Sequence, residues 1–275
     1  MPNYTDFDKR MKKYEKITDV HLIPNLPVII RLDGRHFHTF TRNFNKPFDS
    51  VLVSTMQETM KYLCKNIQNC VFGYTQSDEI SLLLVDYKDI KTEQWVDNRI
   101  QKICSLAASM ATKYFLKSFT HNVLQWQAQT FDEAVGWSKD DEKLDEVYEN
   151  AIDEIAEFDA RCFNLPIDEI PNYFYWRQQD AIRNSIQMMG QHYFSHAGLQ
   201  CKSQQDIIQM LKDFKNINWN EIPIHLQRGS CALKRMLMIV DDPDKQINLR
   251  DKWFIDMEPP VFKDDWVYIT KRIQY

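Results

Sequence analysis

The sequence predicts a mixed α/β (α+β) fold: a ferredoxin-like, split-βαβ sheet followed by a mostly helical second half. Three observations predict it. A β-branched run, Val28-Ile29-Ile30, ends in the turn-prone pair Asp33-Gly34. Two further apolar runs, 70–75 and 79–86, flank the turn residues Ser77-Asp78 and read as a hairpin. Apolar residues recur at helical spacing before and after that hairpin, over 48–67 and 97–118, and a last strand-like run follows at 158–165. The order is then β-α-β-β-α-β, that of a split-βαβ sheet.

The elements follow in order. Residues 5–17 read as an amphipathic helix, and 27–34 as a strand entering a loop. Over 48–67, Val51, Leu52, Met56, Met60 and Leu63 share one helical face. Over 97–118, Ile100, Ile103, Ala107, Met110 and Tyr114 do the same. Residues 119–153, polar and strongly acidic from Lys139 to Asp153, read as a partly helical, exposed insertion. Phe158 to Leu165 reads as a strand closed by Pro166. A long helix is predicted over 169–196, ending near Gly198, and another over 203–214 with Ser203 as N-cap. Strands are predicted at 230–240 and 265–271. The predicted organisation is one domain over 1–166 that carries the 119–153 insertion, with 167–275 packed tightly upon it. No repeat or low-complexity tract interrupts this pattern.

Composition narrows the function classes. Hydrophobic residues make up 44% and charged residues 27%, the balance of a globular protein rather than a disordered or fibrous one. The longest apolar stretches fall short of the roughly 18 residues that cross a bilayer, and the N-terminus is polar rather than signal-like. The expectation is a cytoplasmic protein without a membrane partner. The six cysteines include no CxxC pair, and no Cys/His group has zinc spacing, which suits reduced thiols. His192 and His196 lie four residues apart without the glutamate of a zinc protease motif. A net charge of -5 weighs against a nucleic-acid partner. The patch Lys9, Arg10, Lys12, Lys13 and Lys16 is the local exception, readable as a phosphate-binding surface or as a solvated helix face.

Chemistry concentrates in two acidic turns, Arg31-Leu32-Asp33-Gly34-Arg35 and Tyr74-Thr75-Gln76-Ser77-Asp78-Glu79. Each alone is an ordinary turn. On adjacent strands of a split-βαβ sheet they place Asp33 and Asp78 side by side, a costly arrangement unless cations neutralise it. Hard oxygen ligands favour Mg²⁺, and paired Mg²⁺ ions serve phosphoryl and nucleotidyl transfer. The Gly34 carbonyl adds a third oxygen, and the N–H groups of the loop Gly34-Arg35-His36-Phe37-His38 suit a triphosphate. Strand alternation places Glu79 on the face opposite its neighbour Asp78, as a structural residue.

These turns resemble motifs of the tRNA-histidine guanylyltransferase superfamily. Arg31 to His38 is similar to its metal and triphosphate motif. Tyr74 to Glu79 is similar to its second motif, with Thr75 where the family has glycine. Phe158-Asp159-Ala160-Arg161 resembles its strand motif, and Tyr173-Phe174-Tyr175-Trp176-Arg177-Gln178-Gln179-Asp180-Ala181 its long-helix motif. The resemblance runs from about Asp8 to Met238. It implies a palm of the polymerase and cyclase type that adds nucleotides to the 5′ end of tRNA, growing the chain 3′ to 5′. ATP or GTP first activates the tRNA 5′-phosphate, and the 3′-hydroxyl of an incoming NTP then attacks it. By the same resemblance Asp33, the Gly34 carbonyl and Asp78 hold two Mg²⁺ ions. Gly34, Arg35, His36, Phe37, His38 and Ser77 hold the nucleotide, with Lys46, Arg99 and Lys102 as further phosphate contacts. Arg161, Arg177, Asp180 and Asn184 bind the tRNA 5′ end, against the alternative of a structural ion network. A homotetramer is implied as well.

One departure bears on the task. Eukaryotic members carry His-Ile-Asn-Asn-Leu-Tyr-Asn after the helix motif, whereas this chain has Ile182-Arg183-Asn184-Ser185-Ile186-Gln187-Met188. Ile182 can neither donate nor accept a hydrogen bond at the histidine position. The pattern is closer to the bacterial and archaeal guanylyltransferase-like branch, and implies templated repair of 5′-truncated tRNA. The alternatives are dedicated guanosine addition at position −1 of tRNA-histidine and a non-catalytic tRNA-binding module. A palm nucleotide cyclase lacks support, since Gly-Gly-Asp-Glu-Phe is absent. For the aromatic group Tyr173 to Trp176, core packing is the first reading and stacking on a tRNA base the second.

Overall fold

A computed structural model describes residues 4–89, 91–131, 136–239 and 248–274. The chain opens with α1 (Tyr4–Lys16), whose residues are almost all exposed. β1 (Val28–Arg35) leads into the short α2 (Phe37–Phe40) and then α3 (Ser50–Asn66). Asp49 caps α3 by accepting from the Leu52 N–H at 2.8 Å. β2 (Cys70–Gln76) and β3 (Glu79–Leu84) form the predicted hairpin. α4 (Ile100–Thr130), α5 (Lys139–Asp153) and β4 (Glu157–Asn164) complete the first half.

The second half begins with α6 (Ile170–Tyr193), α7 (His196–Leu199) and α8 (Gln204–Lys215). The predicted cap is present: Ser203 and Asp206 form a reciprocal capping box at the start of α8. α9 (Ile224–Arg228), β5 (Ser230–Ile239), β6 (Asn248–Asp256) and α10 (Val267–Thr270) follow.

The six strands form one antiparallel sheet in the order β4-β1-β3-β2-β5-β6. The first four are the split-βαβ arrangement the sequence predicts, and β5 and β6 extend it at the β2 edge. α3 and α4 cover one face. There Ile30, Leu32, Ile80 and Leu82 share a core with Met60, Ile103, Ala107 and Phe115. On the other face Ile29, Phe72, Tyr74 and Leu83 pack with Tyr173 and Phe174 of α6, with Phe262, and with Ile269 of α10. Alternation along each strand divides its residues between these two cores. No described helix is long and apolar enough to cross a membrane.

Two expectations are corrected. The 119–153 stretch is not an exposed insertion. Its residues up to Thr130 continue α4, burying Phe119 and Val123 completely. Its acidic part forms α5, which buries Leu144, Tyr148 and Ala151 in the core against α3 and α4. Those residues are four and three apart, so a stripe facing the core runs through an otherwise acidic helix. The Tyr148 hydroxyl donates to Asp49 at 2.7 Å, tying α5 to the cap of α3. Positions 132–135 of this stretch, and 240 of the predicted 230–240 strand, lie outside the described residues. The second correction is at 265–271, where a strand was expected. α10, one helical turn, lies there, and the partner of β5 is β6. β6 is an edge strand carrying Asp251 and Lys252, charges that guard an open edge and mask its pattern.

Candidate active site

Asp33 lies near the end of β1, directly opposite Glu79 on β3 and Asp159 on β4. Residues paired directly across antiparallel strands share a face. The three carboxylates therefore form one row across the sheet, on the α6 side. Two residues further down the strands, Arg161, Arg31 and Ser81 form the next row of that face. The arginines answer the acids. Arg31 approaches Asp33 at 3.6 Å and Glu79 at 3.4 Å, and Arg161 approaches Asp159 at 3.4 Å.

Glu79 is the buried member of the row. Arg177, reaching across from α6, donates to it at 2.8 Å and approaches Asp180 at 3.5 Å. Ser81 lies 3.5 Å from the other Glu79 oxygen and 2.8 Å from the Tyr173 hydroxyl. Burial pushes the Glu79 carboxyl up, against the pull of Arg177 and Arg31. Burial likewise raises the Tyr173 hydroxyl to about 12. Strand alternation was expected to turn Glu79 from Asp78; the structure adds that Glu79 shares a face with Asp33. Asp78 occupies the turn, outside the strand, so alternation counted from it does not apply; the pairing with Asp33 sets the face of Glu79.

Asp78 is held by the hairpin turn. Ser77 adopts a left-handed φ of 49°, and its side chain lies close enough to favour ionised Asp78. The Gly34 N–H donates to the Asp78 carbonyl at 3.1 Å, fastening the end of β1 to this turn. Burial raises the Asp78 carboxyl above its ordinary value, and the charge of Asp33 raises it further. Asp33, Asp78 and the Gly34 carbonyl are an all-oxygen set suited to a hard cation. A cation between the carboxylates would remove the repulsion that Asp78 meets. Among the described residues no three His, Cys, Asp or Glu side chains form a metal-binding group, so a cation here would take further oxygens from the backbone, water or a bound phosphate.

The loop beyond Asp33 is tightly constrained. A Cβ on Gly34 would lie 2.4 Å from the Phe37 ring. Phe37 cannot yield, because it packs on Phe40, Phe115 and Phe158. The Phe37 side chain thus belongs to the core; the loop offers backbone groups with the exposed Arg35, His36 and His38. His36 enters α2 with a left-handed φ of 58°, and His38 lies close enough to favour ionised Asp78. Arg35 pairs with Glu157 at 2.7 Å, and Lys46 donates to the Thr41 carbonyl at 3.0 Å.

The remaining predicted residues divide. Arg177 and Asp180 join the buried network, and Arg183 pairs with Asp180 from outside. Arg161 is exposed beside it. Asn184 shares a small cavity with Ser77, behind the turn. Arg99 and Lys102 are not brought to this end. α4 starts after β3 has crossed the sheet, and Arg99 bridges His21 near the opposite end. Five residues of β1 separate that end from Asp33, roughly 17 Å at a strand rise of about 3.3 Å. There Arg99 and Lys102 line a cleft with Lys12 and Lys16 of α1. Sequence reasoning passed over Arg31 as a partner of the acidic pair. Its signal was available, since residues two apart on a strand share a face.

The profile described as tRNAHis guanylyltransferase matches residues 8–166. A "Probable tRNA(His) guanylyltransferase" of Dictyostelium discoideum is 28% identical over 240 residues, covering 81% of this chain and 82% of that protein. An uncharacterized protein of Acanthamoeba polyphaga mimivirus is 28% identical over 251 residues, covering 85% and 78%. Among solved structures, a bacterial tRNA(His) guanylyltransferase (Thg1)-like protein in complex with ATP superposes with a TM-score of 0.78 at 36% identity. The match covers 98% of this chain and 99% of that one. A GTP complex of a protein so described gives 0.77 at 35% identity, covering 98% and 100%.

Proposed function

The chain belongs to the tRNAHis guanylyltransferase family and is a nucleotidyltransferase, and from that premise we propose that it repairs 5′-truncated tRNA by templated, 3′-to-5′ nucleotide addition. The observation that carries this reading is the meeting of Asp33 and Asp78 beside the loop 34–38, at one end of a split-βαβ sheet. In this reading Asp33, Asp78 and the Gly34 carbonyl hold two Mg²⁺ ions. When bound there, the metal would supply neutralisation of phosphate charge and a lowered pKa for the attacking 3′-hydroxyl. The loop from Gly34 to His38, with Ser77 and Lys46, positions the triphosphate. Arg161 is the exposed arginine for the tRNA 5′ end. Arg177, itself paired with Asp180, acts from behind it, holding Glu79, which Arg31 also meets. ATP and GTP as activating or incoming nucleotides are supported by the complexes of the similar bacterial protein.

Templated repair is favoured over dedicated −1 guanosine addition by Ile182. It packs into the apolar cluster of Ile186, Met189 and Ile207, where it presents no polar group to an RNA. The relatives named tRNA(His) guanylyltransferase favour the second reading. Extension of 5′-truncated tRNAs that differ only in the base opposite the missing nucleotide decides between them. Incorporation that follows the opposite base is expected; guanosine added regardless of that base would establish the second reading. We further propose a homotetramer, because a chain of net charge -5 needs a composite surface to grip tRNA. α1 also leaves Phe7, Met11 and Tyr14 exposed at helical spacing. Light scattering is expected to report four protomers, and a monomer at working concentration refutes the assembly.

A further inference from the structure

Trp176 departs from the pattern of its neighbours. Tyr173 and Phe174 are buried and Tyr175 is half-buried, whereas Trp176 keeps 53% of its surface exposed. Its position is nonetheless held firmly. The Arg177 guanidinium lies 3.5 Å from the centre of the indole ring, and that of Arg31 lies 5.9 Å away. Both arginines are anchored on the buried Glu79, so this backing cannot swing aside. Arg31 also reaches Asp33 at 3.6 Å, so a single guanidinium spans the gap between the indole and the carboxylate row. The Tyr173 ring meets the indole edge-on at 6.0 Å. Arg177 backs the ring closely, and about half of the side chain stays open to solvent. A rigid, half-open aromatic surface beside a phosphate-handling site suits the flat face of a nucleobase, since every base offers such a face.

We propose that Trp176 is the stacking platform for the outermost base at the 5′ end of the RNA. The inference rests on the reading of this chain as a tRNA 5′-end nucleotidyltransferase, and it adds the group that seats the end of the stem next to Asp33 and Asp78. Stacking accepts any base, as templated repair requires, because selection then comes from pairing with the opposite strand.

The test is binding of a dye-labelled, 5′-phosphorylated acceptor-stem hairpin, measured by fluorescence anisotropy at fixed salt. One hairpin ends in a purine and the other in an abasic nucleotide. Trp176→Leu is expected to weaken binding of the purine-ended hairpin by about 10-fold or more, and Trp176→Phe to retain most of it. The wild type is expected to lose a similar factor on the abasic hairpin, where Trp176→Leu and wild type should bind alike. Equal weakening of both hairpins by Trp176→Leu, or no weakening of either, overturns the platform. A wild type that extends truncated tRNA yet shows no such coupling overturns the platform alone. A wild type that neither extends the tRNA nor binds either hairpin overturns the functional reading with it.

Discussion

At the scale of residues, the acidic row Asp159-Asp33-Glu79 is balanced by arginines whose burial differs. Arg161 is exposed, Arg31 is partly buried, and Arg177 is sealed against Glu79 at 2.8 Å. Removing one partner of a buried pair leaves an uncompensated charge, which costs more than the pair contributes. Glu79→Ala is therefore expected to destabilise the protein by about 3–5 kcal/mol, read as a lowered urea midpoint. A midpoint within error of wild type would show that Asp180 alone satisfies Arg177. Asp78 behaves differently, because the charge of Asp33 that acts on it has the same sign. Asp78→Asn is expected to leave the fold intact and to lower nucleotide addition by at least about 100-fold, the scale of a lost charge-stabilising contact. Millimolar Mg²⁺ is expected to raise the melting temperature of the wild type and to leave that of Asp78→Asn unchanged. An Asp78→Asn protein that still melts higher with Mg²⁺ removes Asp78 from the metal site.

At the scale of elements, α5 shows how composition misleads. Its acidic residues announce a solvated surface, yet Leu144, Tyr148 and Ala151 align on the buried side. Tyr148 is the pivot, since its hydroxyl donates to the same Asp49 that caps α3. Burial and the Asp49 carboxylate both push that hydroxyl's pKa up, so it remains a donor across the accessible pH range. Tyr148→Phe keeps the ring and removes the donor. It is expected to cost about 1–3 kcal/mol, the penalty of leaving a buried acceptor short of a partner. Chemical denaturation checks this, and an unchanged midpoint would mean that the backbone donors of Asn45 and Leu52 suffice for Asp49. The hairpin β2–β3, by contrast, is written plainly in the sequence, because both strands are buried apolar runs around a polar turn.

At the scale of the whole molecule, the two halves share one sheet and the core on its α6 face. β5 pairs with β2, and α6 and α10 cover the face that Ile29, Phe72 and Leu83 present. A chain cut after Pro166 would expose that face to water. It is expected to be aggregated or molten, showing dye binding and a broad thermal transition in place of a cooperative one. A cooperative transition for residues 1–166 alone would establish an independent palm domain. The sequence by itself determined the split-βαβ order, the hairpin, the cap at Ser203 and the pair Asp33 and Asp78. Each of these rests on periodicity or turn chemistry within a short window. Only the tertiary structure decided that Glu79 stands beside Asp33, that Arg177 reaches it from α6, and that Arg99 and Lys102 lie a strand's length away. Strand register and the packing of a distant helix bring together residues some hundred positions apart, and no local pattern carries that distance.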